Sequence, residues 1–575
     1  MFICNVKSLR EWFYLGMSKI KLNNKQHQKK AVIDKSRQTK NSLTLGYKSL
    51  DKQIKNFKPQ NSPKYLNPST NKLDTSFIPQ SQRYPISTKN LVKAIPDSKK
   101  VLDPSTQIKQ EDKVYLSDDQ LTNLIEDITK QNISLNNEVA FKKPKKEFPK
   151  PKNQEFISKI NSIWDETSHE MPFHHLEVQD TSITGKHITV NNKKVVNFGS
   201  CSYLGLEHRK ELKDKAIEAI QNYGTQYSSS VTYMSLNLYS TLREKYKKIF
   251  GGNVIIAPTT TLGHASCIPL LGDEYDLFLL DQQVHNSVQM GVQLAAAKGT
   301  KVITLPHNNL QALESKLQKL QHEHRRIWYF CDGIYSMYGD CAPIEELEKL
   351  RDKYSNLHLY IDDAHGTTWT GKNGCGYAID NLKSLNKTIV AASNNKAFAG
   401  AGATFVIQDK DIYNCVSNFG QTLIFSGPIQ PSGLGACLGS ADIHLSSEIT
   451  QLQQKLKNKI NLRNKLFEDY NIPFFKAITP ISFVCVGSPK TLGKLFHKLY
   501  QDGFYTNCAV YPAVSKYKSG LRTTLTLNIS DQDIIRFTKK LANHLPKVLQ
   551  AENTTIDDLR KRFKLPQKTQ QYAYS

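Results

Sequence analysis

The chain has no pair of cysteines at C-x-x-C spacing, and its histidines do not fall at the spacings typical of zinc ligands. Its ten cysteines are scattered singly, several of them inside apolar runs. That pattern argues against a disulfide scaffold or a structural zinc site, and it predicts small core residues in a reducing compartment. No run of about eighteen apolar residues occurs, so no transmembrane helix is expected. The opening residues, MFICNVKSLREWFYLGMSKIKL, have neither a long apolar centre nor a small-residue cleavage site. Secretion is therefore not expected; the expected location is the cytoplasm, with a mitochondrial presequence as the alternative. Acid is also scarce, with 52 Asp and Glu against 77 Lys and Arg, a net charge of +25 over 575 residues.

Most of that excess lies in one place. Residues 1–150 carry 29 basic and 14 acidic side chains, about +15 of the total. They are rich in Lys, Asn, Gln, Ser and Pro, and such a segment buries too little apolar surface to offset its ordering entropy. A largely disordered basic leader over 1–152 is expected, with one helical pattern at Ser117–Ile133 and a Pro-stiffened linker at Phe141–Lys152. The leader lacks interleaved aromatics, so it reads as a solvated tail and not as a specific nucleic-acid surface.

From about His169 the texture changes. His187–Phe198 alternates like a β-hairpin with Asn191-Asn192 at its turn, and a helical pattern covers Leu212–Tyr223. Apolar strands then alternate with helical stretches at Val254–Ala257, Leu277–Asp281, Lys301–Leu305, Ile327–Cys331, Leu357–Asp362, Thr388–Ala392 and Ala403–Ile407. Regular alternation of this kind predicts a mostly parallel sheet with helices on both faces. A polar helix at about Ser446–Tyr470 leads to a smaller domain with strands near Ile481–Val486, Thr506–Val510 and Thr523–Asn528. The expected domains are a large one at 153–445, including a hairpin arm near 170–210, a small one at 446–550, and a basic tail at 551–575.

Two stretches carry the chemistry. SNNKAFAG, Ser393–Gly400, sets Lys396 between an apolar strand and a small-residue turn, where a buried amine with a lowered pKa forms a Schiff base readily. Upstream, LYIDDAHG, Leu359–Gly366, ends an apolar strand in two acids and a histidine. A carboxylate at such a strand end faces the crevice where open α/β sheets bind ligands. A lysine and a carboxylate so placed suit pyridoxal phosphate, since the acid keeps the pyridine nitrogen protonated and the lysine holds the aldehyde.

With Asp362-Asp363-Ala364-His365-Gly366 about thirty residues before Ser393-x-x-Lys396-Ala397, the chain resembles the α-oxoamine synthase family. The resemblance covers about Phe173–Lys547. It implies an α/β, fold-type-I pyridoxal-phosphate transferase, with a mostly parallel seven-stranded sheet in a large domain and a small C-terminal α/β domain. It also implies a homodimer that condenses an amino acid with an acyl-CoA, with decarboxylation, to an α-amino ketone. Other readings of the same scaffold are an aminotransferase, an aldolase, or a silent subunit.

Residue by residue, the resemblance gives Lys396 to the aldehyde and to proton transfer, and Asp362 to the pyridine nitrogen. His285, in DQQVHNS, stacks on the ring. Ser336, in CDGIYSMYGDCAP, and His365 hydrogen-bond the phenolic oxygen. Thr260 and Thr261, with Thr259 before them, and Ser393 hold the phosphate. Ser202, in FGSCSYLGL, and Arg522, in the run that ends GLRTTLTLN, hold the substrate carboxylate. No metal is implied. Asp363 and Asp340 read as structural. The chain departs from the family pattern at Ser228–Val231, Tyr239, Cys375, Asn395 and Gly427; at the last, the family's phosphate contact across a dimer interface is either lost or passed to Ser426.

Overall fold

Asn191 and Asn192 both adopt left-handed backbone conformations, φ 45° and 58°. Asparagine tolerates that region, which a two-residue hairpin turn requires. They join β1 (His187–Val190) to β2 (Lys193–Asn197) in the antiparallel register His187 opposite Val196. In this computed structural model residues 152–566 are described, all within one compact unit. The expected leader, the Ser117–Ile133 helix, nearly all of the Phe141–Lys152 linker and the end of the tail lie outside the described residues.

The large sheet contains β3 (Val254–Ala257), β4 (Leu277–Asp281), β5 (Lys301–Leu305), β6 (Ile327–Asp332), β7 (Leu357–Asp362), β8 (Thr388–Ser393) and β9 (Ala403–Ile407). Their spatial order is β3-β9-β8-β7-β6-β4-β5, with β9 alone running against the others. Six of the seven strands are continuously apolar and buried along most or all of their length, as a sheet covered on both faces demands. Two apolar cores flank it, one holding Leu279, Tyr329, Ile361 and Val390 and the other Phe278, Phe330, Tyr360 and Ala391. Consecutive strand residues therefore face opposite layers.

A second sheet is antiparallel, in the order β10-β13-β12, made from β10 (Ile481–Gly487), β12 (Asn507–Ala509) and β13 (Ser519–Thr524). The last of these corrects the expected Thr523–Asn528. Leu525 donates to Pro480 O and Leu527 to Tyr203 O, so the chain leaves the sheet after Thr524 to bind other segments. The hairpin, expected with the large domain, lies against the C-terminal part of the chain. β2 pairs in parallel with β11 (Phe504–Tyr505), and hairpin residues such as Val195 and Phe198 share one core with Phe483 and Phe537. Phe198 stacks on Phe537 at 4.6 Å, so burial of aromatic surface fixes the arm beside the C-terminal sheet.

Candidate active site

The C-terminal ends of β6, β7 and β8 line up, with Asp332 opposite Asp362 and Asp362 opposite Ala391. Asp362 is buried at 4% exposure and accepts from the backbone N–H of Ala364 through Oδ1 at 3.1 Å. Its Oδ2 pairs with His264 Nε2 at 3.0 Å, and His264 Nδ1 meets Tyr360 Oη at 2.7 Å. His264 is fully buried on the helix Thr260–Cys267. Burial alone would raise the Asp362 pKa, but the His264 charge and hydrogen bond, with Lys396 and His285, hold it well below the ordinary carboxylate value. His264 was not singled out from the sequence. A histidine one turn into a Thr-capped helix gave no pattern, and only tertiary folding sets it against β7.

Lys396 lies partly exposed to the cleft, its Nζ 2.8 Å from His365 Nε2. Burial of the surrounding site lowers its pKa, and the charges of Asp362 and Asp332 act against that. His365 is pushed well below its usual value by burial and by the Lys396 and Arg522 cations. A neutral imidazole has one donor and one acceptor nitrogen. When the Lys396 ammonium donates to Nε2, Nδ1 carries the hydrogen and donates to Tyr203 Oη, 2.8 Å away. Tyr203, buried in the Phe198–Leu206 segment, is a second group that sequence reading passed over.

The turn carrying Lys396 is rigid for a definable reason. Asn394, fully buried, donates its N–H to Gly402 O, accepts from Gly400 N through its carbonyl, and accepts the Thr404 hydroxyl at its side-chain oxygen. Ala399 takes a left-handed φ of 58° to close the loop. Asn395 is exposed and, among the described residues, its side chain makes no hydrogen bond. Ser393 is buried at the end of β8, its hydroxyl accepting from Asn395 N at 3.4 Å.

Thr259 caps the helix Thr260–Cys267 by accepting from Leu262 N at 3.1 Å. Among the described residues no acceptor takes the N–H groups of Thr260 and Thr261. Unpaired donors at a helix N-terminus form an anion site. His285 is the N-cap of the helix Asn286–Ala296; its Nδ1 meets the Ser287 hydroxyl at 2.6 Å, and its backbone N–H donates to Asp332 Oδ1 at 3.0 Å. Its ring stands open in the cleft, and surrounding protein lowers its pKa.

Arg522 is buried on β13, its Nε donating to Ser336 O at 2.6 Å and its terminal nitrogen lying 3.7 Å from Cys201 Sγ. Ser336 thus meets Arg522 through its carbonyl. Ser202 accepts from Gly205 N through its carbonyl and lines a neighbouring cavity; from this segment it is Tyr203 and Cys201 that reach the site. Asp363 has the structural role expected of it: Oδ2 accepts from Ala378 N, and a Cβ at Gly366 would stand 2.1 Å from Oδ1, so the motif glycine makes room for the carboxyl. Ser426 turns back to the preceding helix Gln421–Ile424, donating to Thr422 O. Among the described residues no His, Cys, Asp and Glu group has the arrangement of a metal site, and no helix is long and apolar enough to cross a membrane.

An amine on a neutral imidazole, a buried carboxylate held ionised, an open imidazole face and a helix N-terminus with free donors together fit pyridoxal 5′-phosphate. The sequence model for aminotransferase class I and II matches residues 193–541. The chain belongs to the aminotransferase class I and II family. Within that family it is similar to the 8-amino-7-oxononanoate synthase of Petrotoga mobilis, 29% identical over 358 residues that cover 61% of this chain and 89% of the relative. The synthase of Geobacter sulfurreducens is 28% identical over 363 residues, 62% of this chain and 90% of the relative. Among solved structures, the serine palmitoyltransferase of Sphingomonas wittichii superposes with a TM-score of 0.64 at 18% identity, covering 69% of this chain and 98% of that one. The 8-amino-7-oxononanoate synthase of Francisella tularensis gives 0.52 at 21%, covering 62% and 99%. The resemblance to α-oxoamine synthases is borne out, as is the fold-type-I architecture. This aminotransferase class I and II member is an enzyme of the transferase class.

Proposed function

We propose that the chain condenses an amino acid with an acyl-CoA thioester, with loss of carbon dioxide, to give an α-amino ketone. The observation that carries this reading is the Lys396 amine set on neutral His365 beside the Asp362–His264 pair. Pyridoxal 5′-phosphate, when bound, supplies an aldehyde for the substrate amine and a ring that withdraws electrons from its Cα. Thr260 and Thr261 N–H groups with Ser393 would hold its phosphate, Asp362 its ring nitrogen, His285 its face, and His365 and Ser336 its phenolic oxygen. Arg522 binds the amino-acid carboxylate, for which a planar guanidinium is suited.

Lys396 removes the Cα proton, and its contact with His365 gives that proton a second acceptor. A carbon–carbon bond then forms between Cα and the thioester carbon as the carbon–sulfur bond breaks, releasing the CoA thiol. Loss of the carboxylate as carbon dioxide and return of a proton to Cα complete the balance. Incubation of the cofactor-loaded protein with glycine, alanine or serine and a panel of acyl-CoAs tests this. Free thiol released only when both substrates are present is expected; amino transfer to an oxo acid without thiol release would replace this reading with aminotransfer.

The division into a large domain, a small domain and a tail is proposed with the expected bounds, except that the hairpin moves to the small domain. A homodimer is proposed from the resemblance to α-oxoamine synthases. Sedimentation at two protein concentrations checks it. A cytoplasmic location is proposed, checked by imaging a fluorescent fusion.

A further inference from the structure

Thr368 is fully buried and takes a left-handed φ of 83°. That region is costly for a β-branched residue, and among the described residues its buried hydroxyl has no hydrogen-bond partner. A conformation with two such costs persists only where its surroundings impose it. Part of the hold is local. The Thr368 N–H donates to Gly374 O at 2.9 Å, and Thr367 ties back to Asp363 O through its N–H and its hydroxyl. The rest comes from a distant part of the chain. Gln453, on the helix Glu448–Asp469, donates from its side-chain nitrogen to Thr368 O at 3.0 Å and to Gly371 O at 2.9 Å. An amide nitrogen carries two hydrogens, enough for both carbonyls, whereas the flipped amide would set oxygen against oxygen.

The residue after Thr368 reaches the site. Trp369 is buried, and its indole N–H donates to the His365 carbonyl at 2.6 Å. His365 in turn meets Lys396 Nζ at 2.8 Å. Relaxation of Thr368 to a negative φ would turn the peptide that leads to Trp369 and draw the indole off the His365 carbonyl.

We infer that Gln453 is a positioning residue: by clamping the strained loop 366–376 it fixes His365 against Lys396. The inference rests on the reading of Lys396 and His365 as the working pair of the site, and not on which substrates they serve. Hydrogen exchange of the cofactor-loaded protein, followed by mass spectrometry, is measured for the unaltered chain, Gln453→Met, Thr368→Gly and the double variant, alongside kcat and KM for thiol release. In Gln453→Met, exchange of 366–376 quickens about tenfold, the scale of two ordinary hydrogen bonds, while the helix Glu448–Asp469 keeps its protection. The kcat falls about tenfold and the KM for the amino acid stays within about twofold. Glycine adopts a φ of 83° without strain, so the loop holds its shape without the clamp. In the Thr368→Gly background, Gln453→Met therefore changes both readings by less than about threefold. Equal losses in the two backgrounds, unchanged exchange of the loop, or faster exchange spread over the whole molecule overturns the inference. Fast loop exchange with kcat unchanged overturns it too, because the loop then does not set His365. If Gln453→Met does not fold, Gln453→Asn, one methylene too short to reach both carbonyls, gives the same comparison. Absence of thiol release with any thioester removes the acyl-transfer reading alone. The visible absorption of the bound cofactor, shifted in Gln453→Met and restored in the double variant, then takes the place of kcat; an unshifted band overturns the inference.

Discussion

The Nζ of Lys396 stands 2.8 Å from Nε2 of His365, and the far nitrogen of the same ring is 2.8 Å from Tyr203 Oη. The lysine thus sits at the head of a short chain of groups that holds it in one position and fixes the tautomer of its neighbour. Lys396→Ala removes the group that takes the Cα proton. Turnover should fall by about 10³-fold, the usual contribution of a positioned base, and the visible absorption of the bound cofactor should shift; unchanged spectra and rates would remove Lys396 from the site.

Tyr203→Phe keeps the ring packing and removes only the oxygen that holds His365. A fall in kcat of about tenfold with little change in KM is expected, because the loss acts on positioning and not on binding. Steady-state kinetics over a range of amino-acid concentrations separates the two constants.

His264→Ala leaves Asp362 buried without its hydrogen-bonded imidazole partner. Breaking such a buried pair costs about 3 kcal/mol or more, so the melting temperature should drop and the affinity for the cofactor with it. His264→Gln retains a hydrogen-bond donor to the carboxylate and should recover part of the stability. Thermal melts with and without cofactor measure both effects.

His307 bridges Asp281 and Asp340 at 2.9 and 2.7 Å. Burial opposes its charge, but the two carboxylates prevail and push its pKa up to about 9. The folded-state value exceeds the unfolded one, so the stabilisation is complete below about pH 6.5 and is lost as pH climbs through about 9. The shift corresponds to about 3 kcal/mol at most. Denaturation between pH 6 and pH 10 should show an alkaline loss that His307→Gln abolishes by lowering stability at neutral pH.

Arg522→Lys keeps the charge but loses the planar fork and the bond to Ser336 O. The KM for the amino acid should rise by about tenfold to a hundredfold, with a smaller change in kcat.

The large sheet was legible because six of its seven strands are apolar along most or all of their length, which a parallel sheet buried on both faces enforces; the seven expected segments and the observed strands differ by at most one residue at an end. Lys396, Asp362 and His365 were legible because strand ends and a small-residue turn leave a local signature. The strand β13 was misplaced by about four residues, since Leu525 and Leu527 continue its apolar pattern after its hydrogen bonds have gone to Pro480 and Tyr203. His264 and Tyr203 left no local signal at all.

The sequence by itself determined the order of strands and helices and the acid, histidine and lysine at the ends of β7 and β8, because periodicity and turn chemistry are local properties. Tertiary structure decided that His264 would face Asp362, that Tyr203 would hold His365, and that the hairpin would pair with β11 from the C-terminal part of the chain. Those contacts span 98, 162 and more than 300 residues, and only the packing of buried surface over such separations brings the groups together.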